Sequence, residues 1–182
     1  MNFNLTDEQN IIVETVRTFL ENEIYPHEKK VDETGVVPKE LGIEIAQKCK
    51  EIGFFASNMP EAVGGGGLNH LDFTLLEREL GRGSNALTVF FGRPSGILMA
   101  CNEEQKEKYL YPAVKGDKFD ALAMTEPGAG SDVRGMECSA VQKGGDWVVN
   151  GTKHFISHAN IADFVIVFIA TGEEQTNKGS KR

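Results

Sequence analysis

The hydrophobic pattern changes period once, near residue 118, and that change constrains the fold more than any other feature. Upstream, apolar residues recur three and four positions apart, as in Ile12, Val13, Val16, Phe19, Leu20 and Ile24, the stripe of an amphipathic helix. Downstream the helical period disappears. "FDALAMTE" is a short run, and "ECSAVQK" and "WVVNG" flank a Gly-Gly-Asp turn like the two arms of a hairpin. "KHFIS" and "DFVIVFIAT" are further strand candidates. Helices followed by strands imply an α+β chain with two domains: helical over 1–118, antiparallel strands over 119–182. The second stretch offers four or five strands, too few to hide its edges. Nearly continuous "DFVIVFIAT" demands a central place with a neighbour on each side. The strand domain therefore reads as incomplete, and "GEEQTNKGSKR" as a polar loop or frayed end.

Local signals mark the helices. Thr6 and Gln9 have capping-box spacing, and Pro26 should kink or end the first helix. Pro38 suits the first turn of a second helix, with Leu41, Ile45, Ala46 and Ile52 inward and Gly53 as its cap. A third helix, "HLDFTLLERELG", places Leu71, Leu75, Leu76 and Leu80 on its buried side. "ALTVFFGRPSGILMAC" reads as a broken buried helix or helix pair. "NEEQKEKYLYPAV" starts at an Asn102 cap and should stop at Pro112.

The charge argues against one class of partner. The net charge is −8, and no basic stripe exists to meet phosphates, so nucleic-acid binding is disfavoured. Cys49, Cys101 and Cys138 lie far apart with no CxxC. They read as free thiols of a reducing compartment. "MNFNLTDEQN" has neither the basic nor the apolar region of a secretory signal. No run approaches the roughly 20 apolar residues of a membrane span. A cytoplasmic protein is expected.

Several stretches could carry chemistry. Gly64–Gly67 lacks the Gly-Lys-Ser/Thr of a phosphate loop and the preceding strand of a dinucleotide fold, so a flexible connection between helices is the reading. His154 and His158 have a metal-ligand spacing for a helix, but on a strand they stand about 13 Å apart, and no metal site is expected. Ser131 lies in "GAGSD", not in a nucleophile elbow. The strongest signal is "ALAMTEPGAGSD" at 121–132, taken with "NGTKHFISHAN" at 150–160. In the first, an apolar run stops at two hydroxyls, two acids, a proline and two glycines.

These residues resemble the acyl-CoA dehydrogenases. The resemblance runs in order through "LTDEQ", "IGFFASNMPEAVGGGG", "EEQKEKYLYPAVKGDKFDALAMTEPGAGSD", "NGTKHFIS" and "ANIADFVIVFIAT". It implies a helical N-terminal domain and the start of an antiparallel, β-barrel-like middle domain. It also implies FAD as cofactor, an acyl-CoA thioester oxidised between its α and β carbons, an electron-transfer flavoprotein as acceptor, and a homo-oligomer. By the same resemblance Leu122, Met124, Thr125, Gly130 and Ser131 line the flavin, and Ser131 also meets the acyl-CoA. Phe155, Ile156 and Ser157 form a second wall, with Phe155 where the family often has Trp and Ser157 where it often has Thr. Family chains are about twice as long and carry the catalytic carboxylate in a C-terminal helical domain. No catalytic base is therefore assigned here, Glu126 belonging to the flavin-loop turn. A truncated dehydrogenase is the leading expectation. A non-catalytic binding or assembly module, and a relative running as an enoyl-CoA-type reductase, are the alternatives.

Overall fold

A computed structural model describes residues 4–172, 174–176 and 179–181. The chain forms two compact units, Met1–Asp117 and Lys118–Arg182.

The first unit is helical. Thr6 and Gln9 form the expected capping box at the start of α1 (Asp7–Phe19). Pro26 does not simply end this helix. Leu20–Ile24 widens into a π turn, with the Tyr25 N–H bonded to the Leu20 carbonyl, and α2 (Tyr25–Thr34) follows with proline in its first turn. A proline ring would clash with the carbonyl four residues back, and the wider turn accommodates it. The chain continues through α3 (Lys39–Glu51), α4 (His70–Leu80), α5 (Asn85–Thr88), α6 (Glu103–Gln105) and α7 (Tyr111–Lys115). Asn102 caps α6 as expected. Pro112 does not stop the helix that follows. Another π turn, Lys106–Leu110, leads into it, and helix continues to Lys115, where left-handed Gly116 closes it. Residues 85–100 are a broken helix of short turns.

The core gathers Ile12, Val16, Phe19, Leu20 and Ile24 against Ile45, Leu76, Leu80, Leu87 and Phe91. Phe19 meets Phe91 edge-on at 5.1 Å. Leu71 is the exception among the expected inward leucines. It is 59% exposed and lies in the first turn of α4, where Asn69 accepts the Leu71 and Asp72 N–H groups. Helices α1 and α4 run in the same direction, joined by Gln9 to Asp72 at 2.9 Å and Arg17 to Glu79 at 2.7 Å. Glu79 is wholly buried and takes hydrogen bonds or ion pairs from Arg17, Arg78 and Arg82.

The glycine run does connect α3 to α4, but it is not a loose tether. Gly64, Gly65, Gly66 and Gly67 each donate an N–H to a carbonyl between Ala56 and Glu61, at 2.8–3.1 Å. A Cβ on Gly65 would collide with the Met59 carbonyl. Glycine here lets two backbone segments touch.

In the second unit, the expected antiparallel barrel is corrected. Among the described residues three separate two-stranded sheets are present, and none closes. β1 (Asp120–Ala123) pairs in parallel with β4 (Phe164–Val167). β2 (Ser139–Lys143) and β3 (Asp146–Asn150) form the expected hairpin. β5 (Glu174–Thr176) pairs antiparallel with β6 (Gly179–Lys181), where a loop or frayed end was expected. "DFVIVFIAT" supplies the four residues of β4, paired with β1, and further on Ala170 bridges the start of β2, accepting the Ala140 N–H and donating to the Cys138 carbonyl, both at 2.9 Å. "KHFIS" is not a strand. Phe155 has a positive φ of 54°, which breaks an extended run of a bulky residue. No helix among the described residues is long and apolar enough to cross a membrane. Cys49, Cys101 and Cys138 are free thiols.

Candidate functional site

β1 delivers the first wall. Its parallel pairing with β4 is anchored at one end by Asp163, which accepts the Phe119 N–H at 2.8 Å and returns its own N–H to the Phe119 carbonyl at 2.8 Å. At the other end the Phe168 N–H reaches the Ala123 carbonyl at 3.0 Å. Past Ala123 the strand has no further partner residues in β4. Glu126 and Ala129 then exchange backbone hydrogen bonds at 2.9 and 3.2 Å around Pro127-Gly128. Proline pre-sets φ for such a turn and removes a donor that would go unused.

The carboxylate of Glu126 turns inward rather than to solvent. It accepts the Glu137 N–H at 2.6 Å, the Cys138 N–H at 3.0 Å and Lys153 Nζ at 2.7 Å. Lys153 also donates to the Met124 carbonyl at 3.0 Å. The two side chains are 4% and 10% exposed. The Lys153 ammonium, helped by the Glu137 N–H, holds the Glu126 carboxyl below its usual range against the opposing effect of burial. Next to this pair the His154 N–H donates to the Thr125 carbonyl at 2.8 Å. Two segments far apart in sequence, Met124–Glu126 and Lys153–His154, are thus stitched side by side.

With those carbonyls engaged, the outer side of the pair presents different chemistry. The Thr125 hydroxyl is half-buried and has no hydrogen-bond partner among the described residues. Phe155 is 81% exposed, in its left-handed backbone conformation, with His154 stacked on its ring at 3.6 Å. A bulky residue at positive φ is a strained choice that tends to mark sites of function. Met124 and Ile156 are half-buried, while Leu122, Gly130, Ser131 and Ser157 are exposed. The stitching joins Met124 and Thr125 to the Lys153 segment; among the described residues it does not extend to Gly130 or Ser131. A Cβ on Gly128 or Gly130 would meet open space, and neither has a positive φ, so the protein's own packing does not require glycine at either position.

Gly151 is the opposite case. Its φ is +141°, and a Cβ there would lie 2.6 Å from Cys138 Cα. The fold itself requires this glycine, because it brings the 151–157 segment against the backbone that leads into β2. Sequence reasoning placed Glu126 in the turn but did not single out Lys153. The pair joins residues 27 apart in the sequence, so no local spacing announces it. No cluster of three or more His, Cys, Asp or Glu side chains able to hold a metal occurs among the described residues.

Residues 6–117 match the family described as "Acyl-CoA dehydrogenase, N-terminal domain", and residues 121–181 match "Acyl-CoA dehydrogenase, middle domain". The chain belongs to the acyl-CoA dehydrogenase family. Among curated relatives, the benzylmalonyl-CoA dehydrogenase of Aromatoleum aromaticum is 37% identical over 96% of this chain and 47% of its own. The 3-(aryl)acrylate reductase of Clostridium sporogenes is 36% identical over 96% of this chain and 46% of its own. The chain spans about half the length of the curated relatives it matches. The solved acyl-CoA dehydrogenase of Bacillus anthracis complexed with FAD superposes with a TM-score of 0.77 at 29% identity, covering 91% of this chain and 29% of that one.

Proposed function

We propose that residues 118–172 supply one face of a flavin site, in an FAD-dependent oxidoreductase that moves two hydrogens at the α and β carbons of an acyl-CoA thioester. The observation that carries this reading is the stitched pair of segments. Their carbonyls are consumed by Lys153 and His154, so Met124 and Thr125 can turn their N–H groups and the Thr125 hydroxyl outward. A reduced flavin gathers negative charge along one ring edge, and a donor-rich surface is what that edge requires. Phe155 offers an exposed aromatic face beside these donors. Ser157 adds a hydroxyl two residues on, and Leu122 and Ile156 add apolar surface. Open space over Gly128 and Gly130 leaves room for a bulky group to approach the backbone. The donor set fits FAD, which supplies two-electron chemistry when bound. Ser131, at the end of the turn, is assigned to both cofactor and acyl-CoA.

No residue of this chain is assigned as the base that takes the α-proton; Glu126 is excluded because its oxygens are committed to Lys153 and two backbone N–H groups. The same reading implies an electron-transfer flavoprotein as redox partner, self-association, and a cytoplasmic setting. Dividing the chain into a helical domain over 1–118 and a partial middle β domain over 119–182 belongs to the same reading. A reductive direction is the second reading, favoured by the similarity to the 3-(aryl)acrylate reductase. The test is titration of the purified chain with FAD, followed by visible absorption after gel filtration. Retention of flavin bands at about one FAD per chain supports the reading. A colourless protein that quenches no flavin fluorescence at any concentration tested overturns it for this chain.

A further inference from the structure

We propose that Lys153 and Glu126 form a positioning pair, which holds the two flavin-facing segments in register and thereby sets how tightly FAD is held. This rests on the flavin reading above. Neither residue faces the outer surface where the cofactor is placed, so neither is a catalytic residue. Their role follows from where their atoms go. Lys153 Nζ spans the two segments: it starts from the 151–157 stretch and ends on the Met124 carbonyl at 3.0 Å and Glu126 Oε1 at 2.7 Å. Glu126 then passes the connection to a third segment through the Glu137 and Cys138 N–H groups. One ammonium and one carboxylate thus tie together three stretches of chain with no regular sheet pairing between them.

Hydrogen bonds of this kind are directional, whereas apolar contacts tolerate sliding. The first wall leaves β1 after Ala123 and the second has no strand at all. Among the described residues, the other hydrogen bond between them runs from the His154 N–H to the Thr125 carbonyl. Without the ammonium, the Met124 carbonyl and the Glu126 carboxylate lose a shared donor at a nearly closed site. The carboxylate keeps its two backbone donors but loses its counter-charge, so it must draw in water or take a proton, and either outcome shifts the turn. A shift of about 1 Å in a positioned group is enough to cost on the order of 100-fold in its effect. Arginine in place of lysine keeps the charge and the donors and should preserve most of the register.

The experiment compares wild type, Lys153→Met and Lys153→Arg in two independent readouts. Amide hydrogen exchange of the ligand-free chain follows Glu137, Cys138 and His154, with amides of α1 and α4 as internal controls. The expected result for Lys153→Met is faster exchange at those three amides by about tenfold, the effect of one lost hydrogen bond, with α1 and α4 unchanged. FAD titration of the same samples should show affinity weakened by about 10–100-fold, and Lys153→Arg should recover most of both effects. Unchanged exchange at the three amides overturns the pair as the tie between segments. Faster exchange with unchanged FAD affinity overturns its role in positioning. If wild type itself takes up no FAD, the flavin reading fails, and the exchange readout alone decides whether the segments are held by this pair.

Discussion

Glu79 should make the helical unit acid-sensitive in a defined window. Its carboxylate is wholly buried, yet Arg17, Arg78 and Arg82 reach it at 2.7 Å with 47%, 51% and 56% of their own side chains exposed. The Arg17 hydrogen bond is the largest influence. With Arg78 and Arg82 it outweighs burial and brings the carboxyl from 4.5 down to about 2. A carboxyl lowered on folding stabilises the native state above its unfolded value. That contribution fades as pH falls from about 4.5 toward about 2. At face value the lowering corresponds to about 3 kcal/mol. The arginines are half in water, and screening reduces this to about 1–2 kcal/mol. The perturbation is Glu79→Gln, which keeps the shape and removes the charge. Urea unfolding followed by far-UV circular dichroism from pH 7 to pH 3 compares it with wild type. At pH 7 the variant should be less stable by about 1–2 kcal/mol, and by pH 3 about half of that gap should have closed. A gap that stays constant across this range, or a variant as stable as wild type at pH 7, refutes the reasoning.

Three further outcomes follow from particular contacts. Leu76→Ala removes a side chain with no exposure from the centre of the helical core and should cost about 2–5 kcal/mol in urea unfolding. Gly151→Ala forces a Cβ onto the Cys138 backbone at a φ of +141°; thermal unfolding should show a loss of several degrees in the second unit's transition, with the helical unit's signal retained. Thr125→Val with Ser157→Ala removes two outward hydroxyls without touching the stitching bonds, and FAD affinity should fall by roughly tenfold on the scale of one or two hydrogen bonds. Unchanged affinity in that pair removes the hydroxyls from the flavin site.

Helices were legible because their signals are local. Capping at Thr6 and Asn102, and the stripe from Ile12 to Ile24, need only residues within one or two turns. Errors arose where a local rule met a longer-range one. Pro26 does interrupt the regular α-helix, but Pro112 does not stop its helix, because a preceding π turn absorbs the ring and the helix runs on to Lys115. Leu71 fits the apolar face by spacing, yet it lies in the first turn of α4 and is exposed, while Leu75, Leu76 and Leu80 further along are buried. Strand pairing was the least legible because it joins distant residues. The run at 163–171 looks buried from its composition alone, and nothing in it announces a parallel partner 44 residues earlier at β1.

The glycines show why the candidate site was only half readable. A glycine in a sequence can mean that the fold needs it or that something outside the fold does, and the letters are the same. Gly65 and Gly151 are explained from within, since any side chain would strike Met59 or Cys138. Gly128 and Gly130 have no such explanation, being open to solvent at ordinary φ. Gly128 sits inside the turn that Glu126 and Ala129 close, and Gly130 follows directly after it. What holds that turn is internal, a buried ion pair and backbone donors. What its small residues leave room for is external. A structural turn has no use for two unneeded glycines, whereas a surface against which a flat aromatic ring system rests has use for both. That division between an inner face explained by the chain and an outer face left unexplained by it is the physical ground for the proposal that a cofactor rests on the outer face.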